Sequence, residues 1–318
     1  MSRDREYAAR LLLDWLNERN RREYRLDSAE GEVWQAADGD DRLAIYAADL
    51  FEADAAWDQR RRELEQRLDE ARPGSYLLWV PPGAELPPAE EPDESEWVRR
   101  VVLGASRLAS GRSGEVRLPS RLMLGKVKEE GGYASVTGGL SRQWPTISQH
   151  LHGSFYLDSR GLHRFTRDEK EREELYEHIG LLSQGLATGD AAEFEHEDAW
   201  DVQRLPRGAA TEGMTDGWAI TGCPPSFEPN DGAVMRRLLR RRLADAAQAL
   251  SGIRGALKTL VLAGAYDYIE FETAGPAMRG FDPSLTLPFD VIGLVTDAQV
   301  KPLLLSGSAR LSNERAAT

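Results

Sequence analysis

Residues 42–51 read RLAIYAADLF, and the reading of this stretch decides the fold. The run Leu43–Ala48 carries no charge, which marks a strand buried in a sheet. Upstream, a second strand-like segment spans about Glu32 to Ala37. The two are joined by Asp38-Gly39-Asp40-Asp41, in which Asp-Gly is a strong hairpin signal. Before the hairpin, residues from about Asp4 to Arg22 place Tyr7, Leu11, Leu12, Trp15 and Leu16 at helical spacing, so one apolar stripe faces a core and the other face is charged. After it, Trp57, Leu64 and Leu68 mark a second helix that stops at Pro73-Gly74 before the strand Tyr76–Val80.

The rest of the chain divides by composition. Pro81 to Glu96, PPGAELPPAEEPDESE, is acidic and proline-rich and reads as an exposed linker. Residues 97–230 read as an inserted α+β module. It begins with a helix from Trp97 and continues with strands in VRLPSRLMLGKV and YASVTGGL, separated at Gly131-Gly132. A hairpin follows around Ser159-Arg160-Gly161, then a helix from Asp168 to Leu186 and short strands at Ala199–Leu205 and Gly217–Thr221. From about Asp231 an Arg-rich helix precedes the apolar strands Thr259–Ala263 and Phe289–Leu305. Residues 1–80 with 231–305 therefore form one discontinuous unit of α/β class, a mixed sheet flanked by helices.

The chain has 318 residues, is 41% hydrophobic and carries a formal charge of −13. That charge offers a phosphate backbone no general attraction, so nucleic acid would need a local basic patch. No apolar run reaches the length of a membrane span, and MSRDREYAARLLLDWL lacks a small-residue cleavage site, so a cytoplasmic location is expected. A single cysteine, Cys223, excludes an internal disulfide framework and reads as inert packing.

The order helix, hairpin, helix, strand in residues 1–80 resembles the core of the restriction-endonuclease-like nucleases, and the closing strands suit the later strands of such folds. The resemblance implies an Asp before or within one strand and Glu-x-Lys on the next, holding a divalent cation that activates water. Aligned by hydrophobic pattern, Tyr46 falls at the family's Glu and Ala48 at its Lys, while its Asp falls near Trp34 or Gln35. A phenol and a methyl group cannot replace those groups, so the resemblance implies a degenerate active site.

Other residues are candidates for chemistry. Glu30, Glu32, Asp38, Asp40 and Asp41 surround the hairpin, and Glu18 sits on the first helix. Asp267, Glu270 and Glu272 would put two carboxylates on one strand face. His150 and His152 would project together from a strand, with Asp158 and His163 across the next hairpin, as ligands for zinc or iron. The helix MRRLLRRRLADAAQAL supplies Arg236, Arg237, Arg240 and Arg241 as a face for phosphates or an acidic partner, with Asp231 and Asp245 nearby. Tyr133, Trp144, Phe155, Tyr156, Trp200 and Trp218 are core or a recognition surface.

Two functions follow as expectations. The first is a non-catalytic nuclease-like scaffold without cofactor that binds a protein or nucleic acid through the arginine helix. The second is a divalent-metal-dependent hydrolase, a nuclease, using relocated carboxylates or the His150, His152, Asp158 and His163 group. Tyr46 and Ala48 favour the first.

Overall fold

The computed structural model describes residues 3–30, 32–51, 54–206, 216–222, 232–264, 274–296 and 299–306. In chain order the elements are α1 (Arg3–Asn20), β1 (Arg25–Glu30), β2 (Val33–Asp38), β3 (Asp41–Asp49), α2 (Ala55–Ala71), β4 (Tyr76–Val80), α3 (Asp93–Ser106), β5 (Ser113–Lys128) and β6 (Gly132–Gly138). They continue with α4 (Trp144–Gln149), β7 (Gly153–Ser159), α5 (Glu169–Gln184), β8 (Ala191–Arg204), β9 (Trp218–Gly222), α6 (Gly232–Ala249), β10 (Leu257–Ala263), α7 (Ala274–Ala277), β11 (Val291–Thr296) and β12 (Gln299–Leu305). The protein is α/β with two mixed sheets. Among the described residues no helix is long and apolar enough to cross a membrane.

Two units share the chain: residues 1–98, 105–114 and 201–318 form the first, and 99–104 with 115–200 the second. The boundaries differ from the expected insert at 97–230. Residues 201–204 pair antiparallel with β4, and β9 pairs parallel with it, so both belong to the first unit.

In the first unit one sheet has the order β1-β2-β3-β10-β11-β12. β1, β2 and β3 are successively antiparallel, β3, β10 and β11 run parallel, and β12 returns antiparallel. Leu43 to Ala48 are all buried. Leu43, Ile45 and Ala47 face the core that holds α1, with Val261 and Val291, while Ala44, Tyr46 and Ala48 face Met235, Leu239 and Leu243 of α6. Each leucine or isoleucine buried this way contributes roughly 1.5–3 kcal/mol. At the hairpin Asp38 pairs directly with Asp41, and Gly39 takes φ +59°, where glycine carries no Cβ penalty.

α1 departs from the expected single stripe. Ala8, Ala9 and Leu13 are buried beside Tyr7, Leu11, Leu12 and Leu16, because Leu77 and Trp79 of β4 and Ala219 of β9 join the same core.

α2 seals the free edge of β9 with side chains. Asp69 Oδ1 accepts from Trp218 N at 2.6 Å, Glu65 Oε1 accepts from Ile220 N at 2.8 Å, and Arg61 Nη1 donates to Ile220 O at 3.3 Å. Four helical residues advance about 6 Å and two strand residues about 6.6 Å, so the i, i+4, i+8 spacing of Arg61, Glu65 and Asp69 keeps step with alternate residues of the strand. An edge covered in this way is closed to further strand pairing.

The expected linker is also more ordered than its composition implies. α3 begins within it at Asp93, and Glu94 is only 4% exposed because Arg60 and Arg67 of α2 both bond its carboxylate. Arg60 additionally donates to Pro87 O at 2.7 Å and Pro88 O at 2.8 Å.

In the second unit β7 lies between β5, antiparallel, and β6, parallel. Leu122, Leu124, Phe155 and Leu157 point inward against Ile147, Leu175 and Ile179 of α4 and α5. Asp168 caps α5 by accepting from Lys170 N and Glu171 N. The expected hairpin at residues 155–165 forms only its first arm. Beyond Ser159 the chain turns, and Leu162 and Phe165 enter the core.

Candidate functional site

Where strand pairing sets Val33 beside Tyr46, a cavity of about 420 Å³ opens, lined by Glu32, Val33, Gln35, Tyr46, Ala249 and Ile253. Tyr46 reaches it because the even positions of β3 face α6. Its hydroxyl donates to Glu32 Oε2 at 2.7 Å. Burial first, and then the hydrogen bond to Glu32, push the phenol up to about 12, so it stays neutral and donates. Glu32 Oε1 is bonded by Arg5, whose Nε also donates to Asp49 Oδ2 at 2.9 Å. Both oxygens of the pocket's carboxylate are therefore held by the protein itself.

The positions singled out by the nuclease resemblance separate. Tyr46 and Gln35 line the cavity, whereas Ala48 is buried in the α6 core and Trp34 in the α1 core on the opposite face. Among the hairpin acids, Asp38 and Asp41 pair with Arg22 at 3.8 and 2.7 Å, and Glu18 and Asp40 are exposed. The Glu30 side chain, Asp231, Cys223, Asp267, Glu270 and Glu272 lie outside the described residues.

A buried charge network adjoins Arg5. Asp4, 3% exposed, accepts from Arg61 Nη1 at 2.8 Å and from Arg5 N at 3.0 Å. Burial, then the Asp49 carboxylate, hold its pKa well above the ordinary aspartate range. Glu65 is raised too, chiefly by burial. Perturbed carboxyls of this kind also mark catalytic sites, but here Asp4 is engaged by Arg61 and Glu65 by the main chain of β9.

The histidine group does not assemble. His150 sits at the C-terminal end of α4 and not on a strand, exposed, with its ring 6.0 Å from that of Tyr176. His152 is exposed. Asp158 is held below the usual carboxylate range by hydrogen bonds from Arg160, the nearest at 2.5 Å. His163 Nδ1 lies 2.9 Å from Asp198 Oδ2, and Asp198 also accepts from Trp200 Nε1 at 2.8 Å and Arg164 N at 2.6 Å. Among the described residues no three His, Cys, Asp or Glu side chains are grouped to hold a metal ion.

The arginine face is partly structural. Arg236 donates to Ala277 O at 2.9 Å, Arg279 O at 2.7 Å and Gly280 O at 3.3 Å, and Arg236 and Arg240 both lie over the Phe281 ring, at 4.6 and 5.0 Å from its centroid. Arg237 and Arg241 are exposed. The aromatic set splits: Phe155, Trp200 and Trp218 are buried, while Tyr133, Trp144 and Tyr156 are exposed.

Sequence reasoning missed Arg5, Asp4, Asp49 and Arg61. The one local signal was the regular spacing of Arg61, Glu65 and Asp69 on α2. No family model, no curated protein and no solved structure matches the chain.

Proposed function

We propose that the first unit is a non-catalytic, degenerate nuclease-like scaffold that binds a partner and does not cleave one. The carrying observation is the internal use of Glu32, bonded by Tyr46 on one oxygen and Arg5 on the other. A hard divalent cation needs several anionic or carbonyl oxygens free to converge. In this pocket Tyr46 stays a neutral donor, and neither Gln35 nor Trp34, near which the resemblance expects an acid, is acidic; Ala48, outside the pocket in the α6 core, offers no charge. The mixed sheet, with three antiparallel strands followed by parallel ones, supports the nuclease-like part of this reading. The cavity, bounded by a phenol, a carboxylate held by Tyr46 and Arg5, an amide and aliphatic groups, suits a small polar group of a partner. Arg237, Arg240 and Arg241 are exposed positions of the arginine helix through which a protein or nucleic acid would be met.

The second reading, a divalent-metal-dependent hydrolase with relocated carboxylates, draws on Asp4, Asp49 and Glu65. A cleavage assay separates the two. Purified chain is incubated with plasmid, single-stranded DNA and RNA in magnesium or manganese. The scaffold reading expects no cleavage above a buffer control. Cleavage that Asp49→Asn abolishes would establish the hydrolase instead.

A further inference from the structure

The exposed face of α6 departs from the acidity of the chain around it. In a protein of formal charge −13, α2 exposes Glu63 and Glu70, and α5 exposes Glu169, Glu173, Glu174 and Glu177. On α6 the exposed positions are Arg237, Arg240, Arg241, Ala244 and Gln248, with small residues at either end and no carboxylate. From Gly232 to Lys258 the only acid is Asp245. It is half-buried and lies 3.8 Å from Arg242, so it does not neutralise the exposed row. Among the described residues no ion pair engages Arg237 or Arg240.

Phe281 fixes part of this face. The guanidinium of Arg240 lies 5.0 Å from the ring centroid, beside that of Arg236, which is tied to the carbonyls of Ala277, Arg279 and Gly280. A guanidinium laid on a ring keeps its donors in its own plane, so Arg240 offers its fork with some side-chain freedom already lost. Such a fork matches phosphate oxygens bidentately. Duplex DNA carries one charge per about 1.7 Å of axis. Arg237 and Arg240 are separated by about 4.5 Å of helix rise, so together they meet more than one phosphate. Ala244 continues the face with a side chain too small to hold a backbone away. Single strands are bound by stacking bases on open rings, and this face has none, because Phe281 is half-buried against the two guanidiniums. We propose that α6 binds the phosphate backbone of duplex DNA, with Arg237 and Arg240 at the phosphates. The proposal rests on the partner-binding reading of the first unit and names that partner's chemistry.

The test is fluorescence anisotropy of a labelled duplex of about 20 base pairs, titrated with the full chain in chelator at several salt concentrations. Saturable binding is expected, with Kd rising about tenfold or more in Arg237→Ala/Arg240→Ala. The slope of log Kd against log salt should fall by about two in the same variant. Arg237→Lys/Arg240→Lys, which keeps the charge and loses the fork, should lose less. Arg160→Ala/Lys170→Ala removes two exposed cations of the second unit and should leave Kd within about twofold. Circular dichroism checks that each variant folds. No binding at low salt, equal losses in the two double-alanine variants, tighter binding of a single strand of the same length, or displacement of the duplex by polyglutamate at matched charge would each overturn the proposal. No binding together with no cleavage in magnesium would strike this inference and leave the scaffold reading standing. Cleavage would strike that reading, and duplex binding in chelator would still decide this one.

Discussion

The pocket at Tyr46 and the outer face at Tyr156 each set a tyrosine on a central strand, yet the polar groups around them are used differently. In the first unit, Tyr46, Glu32, Arg5, Asp49, Asp4 and Arg61 are joined by hydrogen bonds to one another, and the network leads on to the backbone of β9. In the second, the Tyr133, Trp144 and Tyr156 rings are exposed to solvent. Perturbed carboxyls in the first unit are part of what holds it folded, because burying a charge is tolerated only where partners meet it. Exposed rings add nothing comparable to the core.

If that contrast is right, substitutions in the network should unfold the protein while substitutions on the face should not. The largest effect is expected for Arg61→Ala, which leaves Asp4 without its guanidinium and Ile220 O without one donor. Breaking a buried pair costs about 3–5 kcal/mol. A urea midpoint lowered by much less would show that the network is not structural.

A smaller loss, about 1–3 kcal/mol, is expected for Arg236→Ala, which frees three carbonyl groups. The neighbouring Arg237→Ala should stay within about 0.5 kcal/mol. Equal losses in the two variants would erase the distinction between the held and the presented arginines.

The pH dependence sharpens the same contrast. Burial and Asp49 raise the folded pKa of Asp4 above the ordinary value of 3.8, and Arg61 and Glu65 face the same carboxyl. An acid with a raised folded pKa binds more protons folded than unfolded. Its contribution is full below the unfolded value and is lost as pH rises through the folded one. Asp4→Asn, which keeps the shape and removes the titration, should therefore gain on the parent as pH climbs above 3.8, read as the difference in Tm. A difference moving the other way would mean that Asp4 is ionised in the fold.

The regular parts of the first unit were legible in the sequence. The uncharged run Leu43–Ala48, the Asp-Gly turn and the arginine helix MRRLLRRRLADAAQAL each carry a local signal, and each formed the element read from it. β1 escaped because RLDSAE is mostly polar, and the first half of β8, AAEFEHE, because its outward positions are glutamates. His150 and His152 were placed on a strand, but WPTISQ, with proline in its first turn, forms a short helix. The network was illegible for a different reason. Arg5 meets partners 27 and 44 residues away, and in a chain that is 29% charged no spacing singles those pairs out.

The central claim is that the Tyr46 pocket has no carboxylate free for a cation. Thermal unfolding of the purified, chelator-treated chain against rising magnesium, manganese and zinc tests it most directly, since a ligand that binds only the folded state must raise Tm. The account predicts no saturable rise with any of the three. A saturable rise that disappears in Glu32→Gln would contradict it.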